Sequence, residues 1–334
     1  MRSRSSPVAG LPRRVALLAR AGRHAAWRRV RRIGSTVRSV QADAEPLEAR
    51  TAWILGSPRS GSTWLLRMLS HHQRVVPLDE PLFGAHAAPY IETGSERVSG
   101  TVNSWHATRP DYCLSTEYED VWRPLLRALV LNRIAAQVDR SGQARKIADP
   151  VAVLKEPNSS HAAGLIMSLV PRSRLIFLIR DGRDVIDSFL DALTGDGWLT
   201  RDFGGVDYSD ERWRLDVIGQ QARLWLYQTE TVQQAFADHD PERRSLVRYE
   251  ELLARPVETL GRLLGSMGLR MGDEHLRKVV ARQSFSAIPE EKRGSGKAAR
   301  AATPGLWREN MTPAEQQLVN GILGEKLEEL GYEA

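Results

Sequence analysis

The sequence predicts an α/β fold, a three-layer sandwich in which helices cover both faces of a central parallel sheet. Three observations lead there. Four short apolar runs, TAWILG (51–56), VAVLK (151–155), RLIFLI (174–179) and SLVRY (245–249), have the length of strands. The first, second and fourth are followed by stretches whose apolar residues recur at helical spacing, and strands that alternate with helices belong to parallel sheets covered on both sides. The chain has 334 residues, which suits one large α/β domain or two small ones and can bury a substantial core. Its 42% apolar and 26% charged residues exclude global disorder and a fibrous repeat.

In chain order, the first fifty residues stand apart. They hold 12 arginines against Asp43, Glu45 and Glu48, a net of +9, while the other 284 residues carry 35 basic and 38 acidic groups, a net of −3. The overall +6 therefore belongs to the tail and is no argument for a nucleic-acid partner. PRRVALLARAGRHAAWRRVRR (12–32) has the pattern of a short basic amphipathic helix. Arg20 and Arg23 interrupt what would be the apolar centre of a secretory signal. Two readings remain open for it: a solvated extension, and a membrane-surface helix with Leu17, Leu18 and Trp27 facing lipid. Residues 41–50 read as a linker, so residues 1–48 are taken as an extension and 49–334 as one domain. No run of 18 apolar residues is present, and the single cysteine, Cys113, excludes a disulfide framework and a cysteine-built metal site. A cytoplasmic protein, with peripheral membrane contact through the tail left open, is expected.

After the first apolar run, WLLRMLSHH (64–72) places Leu65, Met68, Leu69 and His72 on one helical face. AAGLIMSLV (162–170) follows the second run, and VETLGRLLGSMGL (257–269) follows the fourth. Between Trp213 and Phe236 a long helix is predicted, with Val217, Leu224, Trp225, Val232 and Phe236 inward. No internal repeat is visible.

Chemistry concentrates where the first strand meets its helix. Gly56-Ser57-Pro58-Arg59-Ser60-Gly61-Ser62-Thr63 offers backbone N–H groups at a helix start, and glycines that permit close approach of an anion. The nucleoside-triphosphate loop is GxxxxGK[ST]. Here Thr63 is in place, but Ser62 stands at the lysine position and the cation has moved three residues earlier, to Arg59. That departure speaks against an ATPase or GTPase. Further on, Arg180 ends the third run and Ser188 lies eight residues later, in RDGRDVIDS. A guanidinium at a strand end and a hydroxyl on the second turn of the next helix can converge on one phosphate.

The string PRSGSTWL resembles the 5′-phosphosulfate loop of sulfotransferases that use 3′-phosphoadenosine 5′-phosphosulfate (PAPS), and RDGRDVIDS resembles their 3′-phosphate signature, in the same order. The resemblance covers about residues 51 to 312. It implies a P-loop nucleoside-triphosphate-hydrolase-like fold with PAPS as co-substrate and 3′,5′-adenosine bisphosphate (PAP) as product. Arg59, Ser60, Gly61, Ser62 and Thr63 would then hold the 5′-phosphosulfate, and Arg180 and Ser188 the 3′-phosphate. Trp64 and Tyr249 correspond to residues beside the adenine, and Ser284-Phe285 resembles another short contact stretch. Arg300, with Gly305 and Trp307, resembles a degenerate form of the late RKGxxGxW segment that closes over the 3′-phosphate, with Ala301 and Ala302 replacing two of its leading residues.

Sulfuryl transfer needs an aligned acceptor, a base for the acceptor proton and cations for the charge that develops. Arg59 fits the leaving side, and Lys155, at the end of VAVLK, resembles the family's sulfuryl-contacting lysine. The histidine that acts as base in cytosolic members is replaced by Pro157. Glu80, 21 residues beyond Arg59, resembles the catalytic glutamate of protein-tyrosine sulfotransferases. A free glutamate titrates near about 4.3, so such a base is served by burial that raises its pKa. Glu156, His86 and His106 are the alternatives. The eight histidines show no paired spacing, so no metal is expected.

Residues 84–145 and 191–213 are rich in aromatics and glycine and read as lids or acceptor walls. They suit a glycan, a phenol, a lipid-linked or a natural-product acceptor, through a hydroxyl rather than an amine. A homodimer is left open. The rival readings are a kinase-like phosphotransferase using ATP and Mg²⁺, and a non-catalytic scaffold that binds membrane or RNA through its tail.

Overall fold

A computed structural model of the chain describes residues 46–84, 114–141, 147–193, 197, 199–200 and 210–333. Its centre is one sheet of five parallel strands in the order β2-β3-β1-β4-β5. The strands are β1 (Thr51–Leu55), β2 (Val75–Asp79), β3 (Val151–Lys155), β4 (Arg174–Ile179) and β5 (Arg244–Arg248). Around them lie α1 (Ser62–Leu69), α2 (Glu119–Arg140), α3 (Ala163–Leu169), α4 (Gly182–Leu193), α5 (Glu211–Asp238), α6 (Tyr249–Ala254), α7 (Pro256–Ser266), α8 (Asp273–Gln283), α9 (Trp307–Asn310) and α10 (Pro313–Glu329).

Alternate residues of a strand point to opposite faces, and the core divides accordingly. Trp53, Leu55, Leu154, Leu175 and Phe177 pack with Val130, Leu131 and Ile134 of α2, Ile166 of α3 and Val232 of α5. Ala52, Ile54, Val153, Ile176 and Leu178 pack on the other side with α1, α7 and α8. This is the expected three-layer sandwich, since both faces of the strands are apolar and both need cover. A third cluster joins α4, α5, α9 and α10 through Ile186, Ile218, Trp225, Trp307 and Leu323. Packing begins by Leu47, which belongs to the first cluster, and the buried Glu48 accepts from the backbone N–H of Arg172 at 2.7 Å and pairs with Arg127.

Several elements lie outside the predicted set, β2, α2, α8 and α10 among them. β2 forms despite Pro77, because an edge strand tolerates a residue with no N–H to donate. The 22-residue α2 occupies part of what reads as a lid in sequence; Pro124 stands in its second turn, where it has no N–H to offer the Asp120 carbonyl. The long helix α5 is found, but its inward face centres on Ile218, Ala222, Trp225, Thr229 and Val232, and Leu224 is only partly buried. Among the described residues no helix is long and apolar enough to cross a membrane. The tail to residue 45, Cys113, His86 and His106 lie outside the described residues.

Candidate active site

The loop between β1 and α1 is shaped by its glycines. Gly56 has φ 150°, and a Cβ there would lie 2.0 Å from the carbonyl oxygen of Leu178. Gly61 has φ 90°, and a Cβ there would meet the Tyr249 ring at 2.6 Å. Neither position accepts another residue without displacement. Ser160 braces the loop from below: its hydroxyl donates to the Gly56 carbonyl at 2.7 Å and accepts from the Gly56 N–H at 2.9 Å. Arg59 also has positive φ, 68°, a strained conformation that turns its side chain away from the loop.

Arg59 reaches toward α4, where its Nε and Nη2 donate to Ser188 Oγ at 3.1 and 3.0 Å. Arg180, at the end of β4, donates to the Arg59 carbonyl at 3.1 Å and lies 4.3 Å above the Tyr249 ring. Trp64 completes this aromatic wall edge-on to Tyr249, with centroids 6.1 Å apart. Arg300 comes in from the far side, ion-paired with Asp187. The structure thus brings Arg59, Trp64, Arg180, Ser188, Tyr249 and Arg300 into one cluster. Burial draws the Arg59 pKa down to about 10, with Arg180 and then Arg300 adding repulsion and Asp191 opposing it. Buried Ser60 Oγ and Arg180 Nε have no hydrogen-bond partner among the described residues. Several crowded cations and two orphaned polar atoms beside a helix N-terminus fit a polyanion of the phosphosulfate and bisphosphate type.

A second cluster lies at the ends of β2 and β3. Lys155 Nζ donates to Thr63 Oγ1 at 3.0 Å and pairs with Glu80 at 2.6 Å and Asp79 at 2.7 Å. Asn158 donates to the other oxygen of Glu80 at 2.6 Å. Glu80 has φ 47° and keeps 31% side-chain exposure, so it is held at a cleft wall and is not buried. That cleft, about 590 Å³, is lined by Glu80, Pro81, Leu66, Arg67, Arg133 and Gln137, among others. Glu156 is wholly buried, accepting from the Phe83 N–H at 3.1 Å and the Ser159 hydroxyl at 2.6 Å, and burial raises its pKa. It therefore holds backbone in place and does not face the cleft.

Asn158, Ser160, Asp187 and Asp191 went unread in the sequence. The only local signal for the first two is the polar PNSS immediately after Lys155. For the aspartates it is their recurrence along RDGRDVIDSFLDAL. Among the described residues no group of three or more acidic, histidine or cysteine side chains could hold a metal.

The fold and these two clusters define an anion-binding α/β protein of the P-loop type. The sulfotransferase family matches residues 52–273, and the chain belongs to it, a PAPS-dependent enzyme of the kind its two loops resemble. No curated protein matches the sequence. Similar solved structures include the sulfotransferase domain of the Synechococcus PCC 7002 olefin synthase, 19% identical, covering 85% of this chain and 95% of that one, with a TM-score of 0.47. A sulfotransferase from Mycobacterium avium is 16% identical, with 89% and 82% covered and a TM-score of 0.47. A mouse sulfotransferase complexed with PAP is 13% identical, with 83% of each chain covered and a TM-score of 0.46.

Proposed function

We propose that the enzyme moves a sulfuryl group from PAPS to a hydroxyl of a small-molecule, glycan or lipid-linked acceptor bound in the cleft beside Glu80. The observation that carries this reading is the crowding of Arg59, Arg180 and Arg300, beside the buried Ser60 Oγ and Arg180 Nε that have no partner among the described residues, a concentration of positive charge and donors that suits a polyanion. PAPS, when bound, supplies the sulfuryl group and a bisphosphate leaving group. Ser60 to Thr63 and the N-terminus of α1 would hold its 5′ end. Arg180, Ser188 and Arg300 would hold its 3′-phosphate, with Arg59 bridging the two. Trp64 and Tyr249 offer ring faces and edges for the adenine.

Lys155 links the two halves of the site, since one ammonium group touches both Thr63 of the loop and Glu80 of the cleft. It is placed to neutralise charge on the transferring group, and Glu80 to accept the acceptor's proton as the new S–O bond forms. Asn158 orients the Glu80 carboxylate from the other side.

The test pairs binding with turnover. Calorimetry is expected to show PAP binding in preference to ATP with Mg²⁺, with affinity lost in Arg180→Ala. Glu80→Gln is expected to bind PAP normally and lose about 10²- to 10⁴-fold in kcat, the range for a general base. Equal or better binding of ATP would put the phosphotransferase reading first.

A further inference from the structure

Helix α4 carries Asp184, Asp187 and Asp191 at i, i+3 and i+7, one face of a helix. That face meets residues 294–305, and each aspartate holds a different point. Both oxygens of Asp184 accept from the Gly305 N–H, at 2.9 and 3.0 Å. Asp187 pairs with Arg300 and accepts from Asn310 Nδ2 at 3.1 Å. Asp191 accepts from the Ser295 hydroxyl at 2.6 Å and the Gly296 N–H at 2.9 Å. Between these points the segment folds on itself, Gly294 N–H to Ala299 carbonyl at 3.0 Å, and the Ala298 carbonyl accepts from Arg59 Nη2 at 3.3 Å. The segment is thus a strap across the guanidinium of Arg59.

We propose that Asp187 and Asp191 are positioning residues that fasten this strap over the donor site, and that Asp191 is the end that releases. The assignment rests on the donor reading above. The two ends differ in a way that sets the direction of opening. Asp184 and Asp187 are 1% and 4% exposed, and the 300–305 end is tied to them inside the protein. Asp191 is only partly buried, and its bond to Ser295 lies at the surface. Gly294 and Gly296 both have positive φ, 109° and 70°, so the free end is built of residues that can change backbone conformation at little cost. Asp191 also opposes the repulsion that Arg180 and Arg300 exert on Arg59, so it bears on the strap and on the loop cation together. Ala301 and Ala302, which bring no polar side chain to the strap, leave its attachment to the aspartates.

The experiment measures PAP dissociation by stopped flow and hydrogen exchange by mass spectrometry on the full chain, for wild type, Asp191→Ala, Asp191→Asn and Ser295→Ala. Asp191→Ala is expected to raise the PAP off-rate about tenfold, the effect of losing one or two hydrogen bonds. Asp191→Asn, which keeps one acceptor, and Ser295→Ala should show smaller rises. Exchange should quicken over 294–300 and stay unchanged over 151–155 and 174–179. Acceptor KM should not move, as it would if the helix had shifted. Unchanged off-rate and unchanged exchange in Asp191→Ala would overturn the assignment. Failure of the wild type to bind PAP would instead sink the donor reading, and the exchange data, which need no nucleotide, would still decide whether Asp191 fastens the strap.

Discussion

Two glutamates, each just past the end of one of two neighbouring strands, have opposite fates at the scale of single residues. Glu80 meets Lys155 and Asn158 at the mouth of the cleft, whereas Glu156 is sealed below it, bonded to Phe83 and Ser159. Burial raises the Glu156 pKa above its ordinary value, so its charged form is less favourable in the folded chain than in the unfolded one. The sign follows from linkage: the folded state binds this proton more tightly, so stability is lost as pH rises from about 4.3, the unfolded value, through the raised folded one. Glu156→Gln removes that loss and keeps an amide oxygen for the Phe83 N–H. Its Tm relative to wild type is therefore expected to improve between pH 4 and pH 7, read by calorimetry at both. Its kcat is expected to stay within a few-fold of wild type. A loss comparable to that of Glu80→Gln would exchange the two roles.

Among the elements, the β1–α1 loop is where sequence and geometry agree most closely. Its glycines are legible because no other residue fits a turn that passes this near a neighbouring strand. The structure adds the neighbours themselves, Leu178 and Tyr249. Gly56→Ala drives a Cβ into backbone, which cannot move without shifting β4, and a loss of about 3 kcal/mol or more is expected by denaturant unfolding. Gly61→Ala meets only the Tyr249 ring. Its stability cost should be smaller, but the displaced ring leaves Arg180, so PAP affinity is expected to fall by about tenfold. β2 and α2 were illegible for opposite reasons. β2 is five residues broken by Pro77, and α2 has apolar residues on its outer face as well, Val121, Leu125 and Leu129, which blur its period.

For the whole molecule, α10 supports the site without touching it. Leu323 and Trp225 close so tightly on Gly182 that a Cβ there would lie 2.7 Å from Leu323 and 2.8 Å from Trp225. Arg183, beside it, stacks on Trp307 at 4.2 Å and forks onto Asp181. A chain ending at Met311 keeps every donor-site residue named above but uncovers this cluster. It is expected to lose PAP binding and to melt at lower temperature, checked by thermal shift with and without PAP. Retained binding would make α10 dispensable to the donor site.

By itself the sequence determined the layered α/β class, the glycine-shaped turn between β1 and α1, and the placing of Arg180 at a strand end with Ser188 on the helix that follows. Each lies within one strand–turn–helix unit, where backbone geometry fixes distances over a few residues. Only the tertiary structure decided which of these units meet. Because β3 lies between β2 and β1, Lys155 emerges between Glu80 and Thr63, residues 75 and 92 positions away. Because β4 lies on the other side of β1, Arg180 arrives beside Arg59. The aspartates of α4 acquire a role only when the 294–305 strap returns across them, more than a hundred residues later. Strand order is set by which apolar faces bury each other across the whole chain, and no local spacing records it.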